Sequence, residues 1–206
     1  MSEYDAIFLG IGAYLVATMS PGPAVLAIMG VSASQGRKAG LQLASGVVCG
    51  SLFWGLCAAF GLATVMAQFA GLFFALKIAG GLYLLWLAFK ALRSAIASEE
   101  NLQATKVSSD RSFVLQGLAI HLTNPKAVLA WVAILAVGVK QDAPVWHAIA
   151  MFGSCAVLGV CVFLGYALLF STARAQALYA RARRFFEFLF GCVFGAAGLM
   201  LITDRS

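Results

Sequence analysis

Residues 19–27 read Met19-Ser20-Pro21-Gly22-Pro23-Ala24-Val25-Leu26-Ala27, in a run without a charged residue from Ala6 to Gly36. The run is long enough to cross a bilayer, yet two prolines and a glycine stand at its centre. Lipid offers no water to exposed backbone groups. A break at that depth is tolerated only inside protein or beside a watery cavity. Pro21 and Pro23 donate no backbone hydrogen bond, and Gly22 takes conformations closed to other residues. Carbonyls around Ser20–Pro23 therefore lose their partners. A new helix starting near Pro23 presents free N–H groups and a positive dipole end, a place for a carboxylate.

Composition puts this break in a membrane. The 206 residues are 62% hydrophobic and 11% charged, against about 45–50% and about 25% in a soluble domain. No soluble core of this size hides that much apolar surface, so the fold class is an all-α integral membrane protein, one transmembrane domain over 1–206. Glu3 and Asp5 precede the first apolar run, which argues against a secretory signal and for a retained helix. The five cysteines, 49, 57, 155, 161 and 192, fall in apolar segments with no C-x-x-C. They read as small core residues, not as disulfide, metal or redox groups.

Six segments are long enough to span, at about 6–32, 39–66, 70–92, 112–138, 145–171 and 185–203. The first is broken at the Ser-Pro-Gly-Pro stretch and the fourth at Asn124-Pro125. A polar connection at about 94–111 separates repeat 1 (about 1–93) from repeat 2 (about 112–206). A shift of 103 residues lays Ala24-Val25-Leu26-Ala27 on Ala127-Val128-Leu129-Ala130, Ser20 on Thr123, and Arg37 on Lys140. Three spans per half turn the second half upside down, so the pattern predicts two inverted three-helix repeats, each opening on a helix broken at proline. Ten cations, from Arg37 and Lys38 through Lys90, Arg93, Lys106 and Arg111 to Arg174, Arg181, Arg183 and Arg184, then face one side. The positive-inside rule makes that side cytoplasmic and puts both termini outside. Arg181-Ala182-Arg183-Arg184 reads most simply as a topology anchor, with contact to anionic lipid as the alternative.

The second break repeats the chemistry of the first. Thr123 or Asn124 can cap a half-helix beginning at Pro125, and Lys126 adds a positive charge near mid-membrane. The candidate binding residues are thus Ser20, Pro21, Gly22, Pro23, Thr123, Asn124, Pro125 and Lys126, with Tyr83 beside the glycine pair Gly80-Gly81. His121 reads either as a proton relay or, more simply, as a satisfied helix histidine. Lys77 either snorkels to the surface or faces a cavity. Gly46-x-x-x-Gly50 and Gly191-x-x-x-Gly195 are close-packing motifs, used within the protomer or in a homodimer. No Asp or Glu is expected deep in any span; Glu187 and Asp5 lie near span ends.

Three stretches resemble the LysE/RhtB family of bacterial amino-acid exporters, and in the expected order. "SPGPAVLAIMGVSASQGRKAGL" is similar to its first-helix signature, "LKIAGGLYLLWLAFKALR" to its third helix, and "LTNPKAVLAWVAIL" to its Asn-Pro-Lys signature. The threonine/homoserine branch looks nearest, from the third-helix stretch and "DRSFVLQGL". The resemblance implies an inner-membrane carrier driven by the proton gradient. It marks Ser20, Pro21, Gly22, Pro23, Gln35, Gly36, Arg37, Asn124, Pro125 and Lys126 as signature positions. Ala24 departs from it, since many members carry Asn or Asp there.

The expected function is alternating-access export of small neutral amino acids. His121, Lys77, Gln35 and Arg37 are its candidates for coupling or gating. No enzymatic activity, cofactor, metal or nucleic-acid partner is expected; membrane lipid is. The alternatives are export of basic or cysteine-like amino acids, a channel, and a membrane thiol-redox carrier, which would need cysteines at the breaks.

Overall fold

A computed structural model describes residues 3–68, 70–96, 112–138 and 144–203. The described residues form seven helices and no strand: α1 (Glu3–Met19), α2 (Pro23–Gln68), α3 (Ala70–Ile96), α4 (Phe113–Leu122), α5 (Pro125–Gly138), α6 (Val145–Phe170) and α7 (Ala173–Thr203). Large apolar side chains such as Phe8, Phe60, Ile149, Val157 and Leu169 point outward. Such a surface belongs in lipid. Val145–Phe170 is long and apolar enough to cross a membrane, as by length and composition is Pro23–Gly61, which is interrupted at Gly36, and Phe113–Leu122 with Pro125–Gly138 makes a third span if a pair bent by 60° is one crossing.

Both expected breaks are present, α1 to α2 at 20–22 and α4 to α5 at 123–124. A third interruption falls between the segments read as the first and second spans, about 6–32 and 39–66. Within α2, Gly36 has φ 85° and ψ 177°, a region open essentially to glycine alone. The chain folds back there, and Gly40 comes so close to Ser32 that an added Cβ would overlap its hydroxyl oxygen. α2 is thus a helical hairpin with arms 23–35 and 37–68, and Gln35 and Arg37 sit exposed at its bend.

Two expectations need correction. Arg174, Arg181, Arg183 and Arg184 are not in a connection but on the first turns of α7, because Ala173–Arg184 holds alanine, arginine and leucine without a breaker. Of the cysteines, only Cys155 is buried and the other four are exposed. Lipid rewards small apolar side chains on the surface as well as in the core. The polar connection at 94–111 lies outside the described residues from 97 onward, as does Lys140.

Small residues set the packing around the breaks. Gly46 meets the Val114 carbonyl of α4, Gly50 meets His121, and Gly117 meets the Leu43 carbonyl, so the second arm of α2 and α4 run parallel at close range. Gly81 packs on Gly198 and Ile202, and Gly191 on Ala88 and Leu92, an antiparallel α3–α7 pair. Both Gly-x-x-x-Gly motifs are therefore used inside the protomer. One buried cluster gathers Tyr14, Leu84, Trp131, Met151 and Phe194, and another gathers Val25, Ile28, Leu43 and Phe163.

Gly36→Ala should destabilise the protein by about 1–3 kcal/mol, since alanine is strained at that φ. Gly12→Ala, in a helix with open space around it, should leave the midpoint unchanged or raise it. Thermal unfolding in detergent compares the two.

Candidate functional site

The two helix breaks meet. The Lys126 ammonium, from the first turn of α5, donates to the Ser20 carbonyl oxygen at 3.0 Å and to Ser20 Oγ at 3.2 Å. A charge placed by the second half of the chain thus satisfies a carbonyl that the first break set free. Gly22 lies against the Lys126 side chain, where an added Cβ would sit 3.3 Å from its Cδ. The neighbouring free carbonyl, that of Met19, accepts from the Tyr166 hydroxyl of α6 at 2.8 Å. Tyr83 of α3 donates to the Lys126 carbonyl at 3.3 Å and stacks on Trp86.

The start of α5 is closed locally. Asn124 Oδ1 accepts from the Lys126 backbone N–H at 3.0 Å, the geometry of an N-cap. The Ala127 N–H donates to the Asn124 carbonyl at 2.9 Å. Of the two candidate caps, then, Asn124 serves. Thr123 is exposed, and its hydroxyl donates to the Ala119 carbonyl at 2.8 Å.

Two cavities flank the Ser20–Lys126 contact. The larger, about 290 Å³, is lined by Ser20, Pro21, Gly22 and Pro23, by Tyr83, Trp86, Lys90 and Ser94 of α3, and by Glu187 of α7. The smaller, about 40 Å³, is walled by Tyr14, Thr18, Ser51, His121, Trp131 and Phe163, which leaves room for roughly two or three waters. Ser20, Gly22, Asn124 and Lys126 line both, so they form the partition. The far wall of the small chamber is also knit together. Trp131 Nε1 donates to Ser51 Oγ at 3.2 Å, and the Tyr14 ring lies 4.9 Å from that of Trp131. His121 is 5% exposed and edge-on to Phe163, and its Nδ1 has no hydrogen-bond partner among the described residues.

Of the sequence candidates, Ser20, Pro21, Gly22, Pro23, Asn124, Pro125, Lys126 and Tyr83 come together around the larger cavity, and His121 lines the smaller. Thr123, Gln35 and Arg37 line neither. The helix carrying Lys77 is described, but its side chain is outside the described residues. Reading the sequence missed Tyr166 and Glu187. Glu187 is only 4% exposed and lines the larger cavity. A signal for it existed: Glu187 lies four residues before Gly191, on the stripe of α7 that packs against α3.

The LysE type translocator family matches residues 15–205. The "Uncharacterized membrane protein YahN" of Escherichia coli (strain K12) is 28% identical over 207 residues, which cover 99% of this chain and 92% of that protein. The "Threonine efflux protein" of the same organism is 29% identical over 196 residues, 93% of this chain and 95% of the relative. The "Leucine efflux protein" of Enterobacter sp. (strain 638) is 32% identical over 123 residues, 60% of this chain and 58% of the relative. No solved structure matches.

Asn124→Ala, which removes the cap, should cost about 0.5–2 kcal/mol. Thr123→Ala should change stability by less than about 0.5 kcal/mol, as an exposed substitution outside the cap. Paired unfolding curves in one detergent separate the two residues.

Proposed function

The chain belongs to the LysE type translocator family, and on that premise we propose that it is a secondary-active exporter of small neutral amino acids, threonine- or homoserine-like, across the bacterial inner membrane. The relatives named for threonine and leucine efflux support the amino-acid class. The observation that carries the proposal is the Ser20–Lys126 contact, a polar plug between two cavities made where two broken helices meet. A charge and free backbone groups at that depth are expensive unless a polar ligand uses them.

The architecture proposed is six spans in two inverted repeats. The hairpin arms of α2, with α1 and α3, make the first half; α4 to α7 make the second. Exchanging the halves converts the parallel pair of α4 and the second arm of α2 into the pair α6 and α1. That pair is also parallel, with Gly10 against Met151 and Tyr14 against Gly159. The antiparallel α3–α7 pair maps onto itself. With the basic connections cytoplasmic, both termini lie outside.

In the mechanism proposed, the substrate carboxylate meets Lys126 and the α2 helix start. Two of the ammonium's three N–H bonds are engaged by Ser20, which leaves one for a ligand. Rocking of one half on the other opens the larger cavity and the small chamber in turn. Proton coupling is assigned to His121, whose free Nδ1 lies at the small chamber. The larger cavity is lined by Lys90 and Lys126 against Glu187, an excess of positive charge that disfavours a cationic side chain. Leu26, Trp86, Leu87 and Leu129 suit an apolar or weakly polar one. The volume, near the lower end of the roughly 300–1,000 Å³ of ligand pockets, fits a small molecule.

Cells loaded with labelled threonine and expressing the native protein should show saturable efflux above empty cells. Lys126→Ala at equal membrane abundance should reduce it at least tenfold, the loss of one charge-assisted contact of about 1.5–3 kcal/mol. Native efflux indistinguishable from empty cells with threonine, homoserine, leucine and cysteine alike would sink the proposal.

A further inference from the structure

A zwitterion needs an anionic partner as well as a cationic one. The carbonyls and hydroxyls of the breaks are poorly placed for that task. The Ser20 carbonyl and hydroxyl already accept from the Lys126 ammonium, the Met19 carbonyl accepts from Tyr166, and Thr123 turns its hydroxyl to Ala119 on the exposed side of α4. An incoming ammonium group would compete with a lysine for the same oxygens.

The larger cavity supplies an alternative. Glu187 lines it together with Lys126 and is 4% exposed. A buried carboxylate is rare unless it is paired. Its setting is built by the α3–α7 contact, in which Gly191 packs on Ala88 and Leu92 and brings Ser94 beside the start of the span. The Ser94 hydroxyl accepts from the Arg183 guanidinium at 3.1 Å and donates to the Glu187 carboxylate. Arg183 is itself buried and Lys90 stands at the mouth, its ammonium 4.6 Å from the Trp86 ring centre. Glu187 and Lys126 interact electrostatically across the cavity. The cavity thus presents one carboxyl group, Glu187, and two amines, Lys126 and Lys90, with apolar side chains between them.

We infer that Glu187 is the ammonium-binding residue of the substrate site, so that a free α-amino acid lies across the cavity with its carboxylate on Lys126 and its ammonium on Glu187. The inference rests on the export reading and deepens it: the site selects for an unmodified α-amino group and rejects N-acylated amino acids and 2-hydroxy acids. The side chain is left to the apolar walls, which gives a broad preference among small neutral residues.

The test uses the full-length protein in proteoliposomes and competition against labelled threonine. The competitors are unlabelled threonine and 2,3-dihydroxybutyrate, which carries a hydroxyl in place of the ammonium. The native protein should prefer threonine by about tenfold or more, and in Glu187→Gln the preference should fall to within about twofold. A purely structural role, through Ser94 and Arg183, would weaken both competitors alike and keep their ratio. A native exporter whose Glu187→Gln variant retains the preference overturns the inference and leaves export standing. A native protein that moves no neutral amino acid removes the export reading, and this inference with it. If Glu187→Gln does not fold, the native protein gives the answer through a hydrophobic carbodiimide, which modifies buried carboxylates. Threonine should slow modification of Glu187 several-fold, read by mass spectrometry, and dihydroxybutyrate at the same concentration should not. Equal protection, or none, counts against Glu187 as the ammonium partner.

Discussion

The Lys126 ammonium on the Ser20 carbonyl is the contact on which the rest of the site depends. Each helix break frees backbone oxygens inside an apolar helical body, and each freed group must find a partner within the protein or in a polar cavity. A lysine alone at that depth is equally unstable. Joining the two defects resolves both: the second half of the chain brings a cation that needs acceptors, and the first half brings acceptors that need a donor. The remaining loose ends are tied by single side chains, Tyr166 on the Met19 carbonyl and Asn124 on the Lys126 amide.

That contact requires helices to approach more closely than ordinary side chains permit, and glycines provide the approach. Gly46 and Gly117 let the second arm of α2 lie against α4, which holds the second break in place. Gly81, Gly191 and Gly198 let α3 lie against α7, which carries Tyr83 to Lys126 and Glu187 to the same cavity. In lipid, close packing and internal hydrogen bonds must do what the hydrophobic effect does in water. The glycine stripes and the polar partition are therefore parts of one arrangement.

Much of this was legible in the sequence because proline and lysine in an apolar run have few physical excuses. The Ser-Pro-Gly-Pro break, the Asn-Pro-Lys break and their common register announced a polar feature at mid-membrane, and the structure brings those residues together. What stayed hidden depends on direction around a helix axis, which composition does not carry. Glu187 stands near the start of the segment at about 185–203, and only the packing of α7 on α3 shows that it faces inward. Asn124 and Thr123 are both good caps by type, and only the turn geometry decides between them. The turn at Gly36 falls in the connection expected between about 32 and 39; its form, a single glycine with helix on both sides, is what the spacing alone does not give. The cysteines misled for the opposite reason, since a rule of burial learned in water does not hold where the solvent is apolar.

Under the export reading the same contact also explains how binding can be linked to opening. Ser20 and a substrate carboxylate are acceptors of the same kind, and Lys126 has too few N–H bonds to serve both fully. A carboxylate is the stronger acceptor, because its own negative charge adds a Coulombic attraction to the ammonium that a neutral carbonyl or hydroxyl lacks. A substrate at Lys126 therefore weakens the hold on the Ser20 carbonyl and, with it, the tie between the two halves. The empty site keeps its partition because Lys126 has nowhere better to go. The occupied site loosens the partition because the ligand satisfies the lysine in place of the first helix break. Only a ligand that also neutralises that charge shifts the balance in this way, so a neutral polar solute of the same size leaves the partition closed.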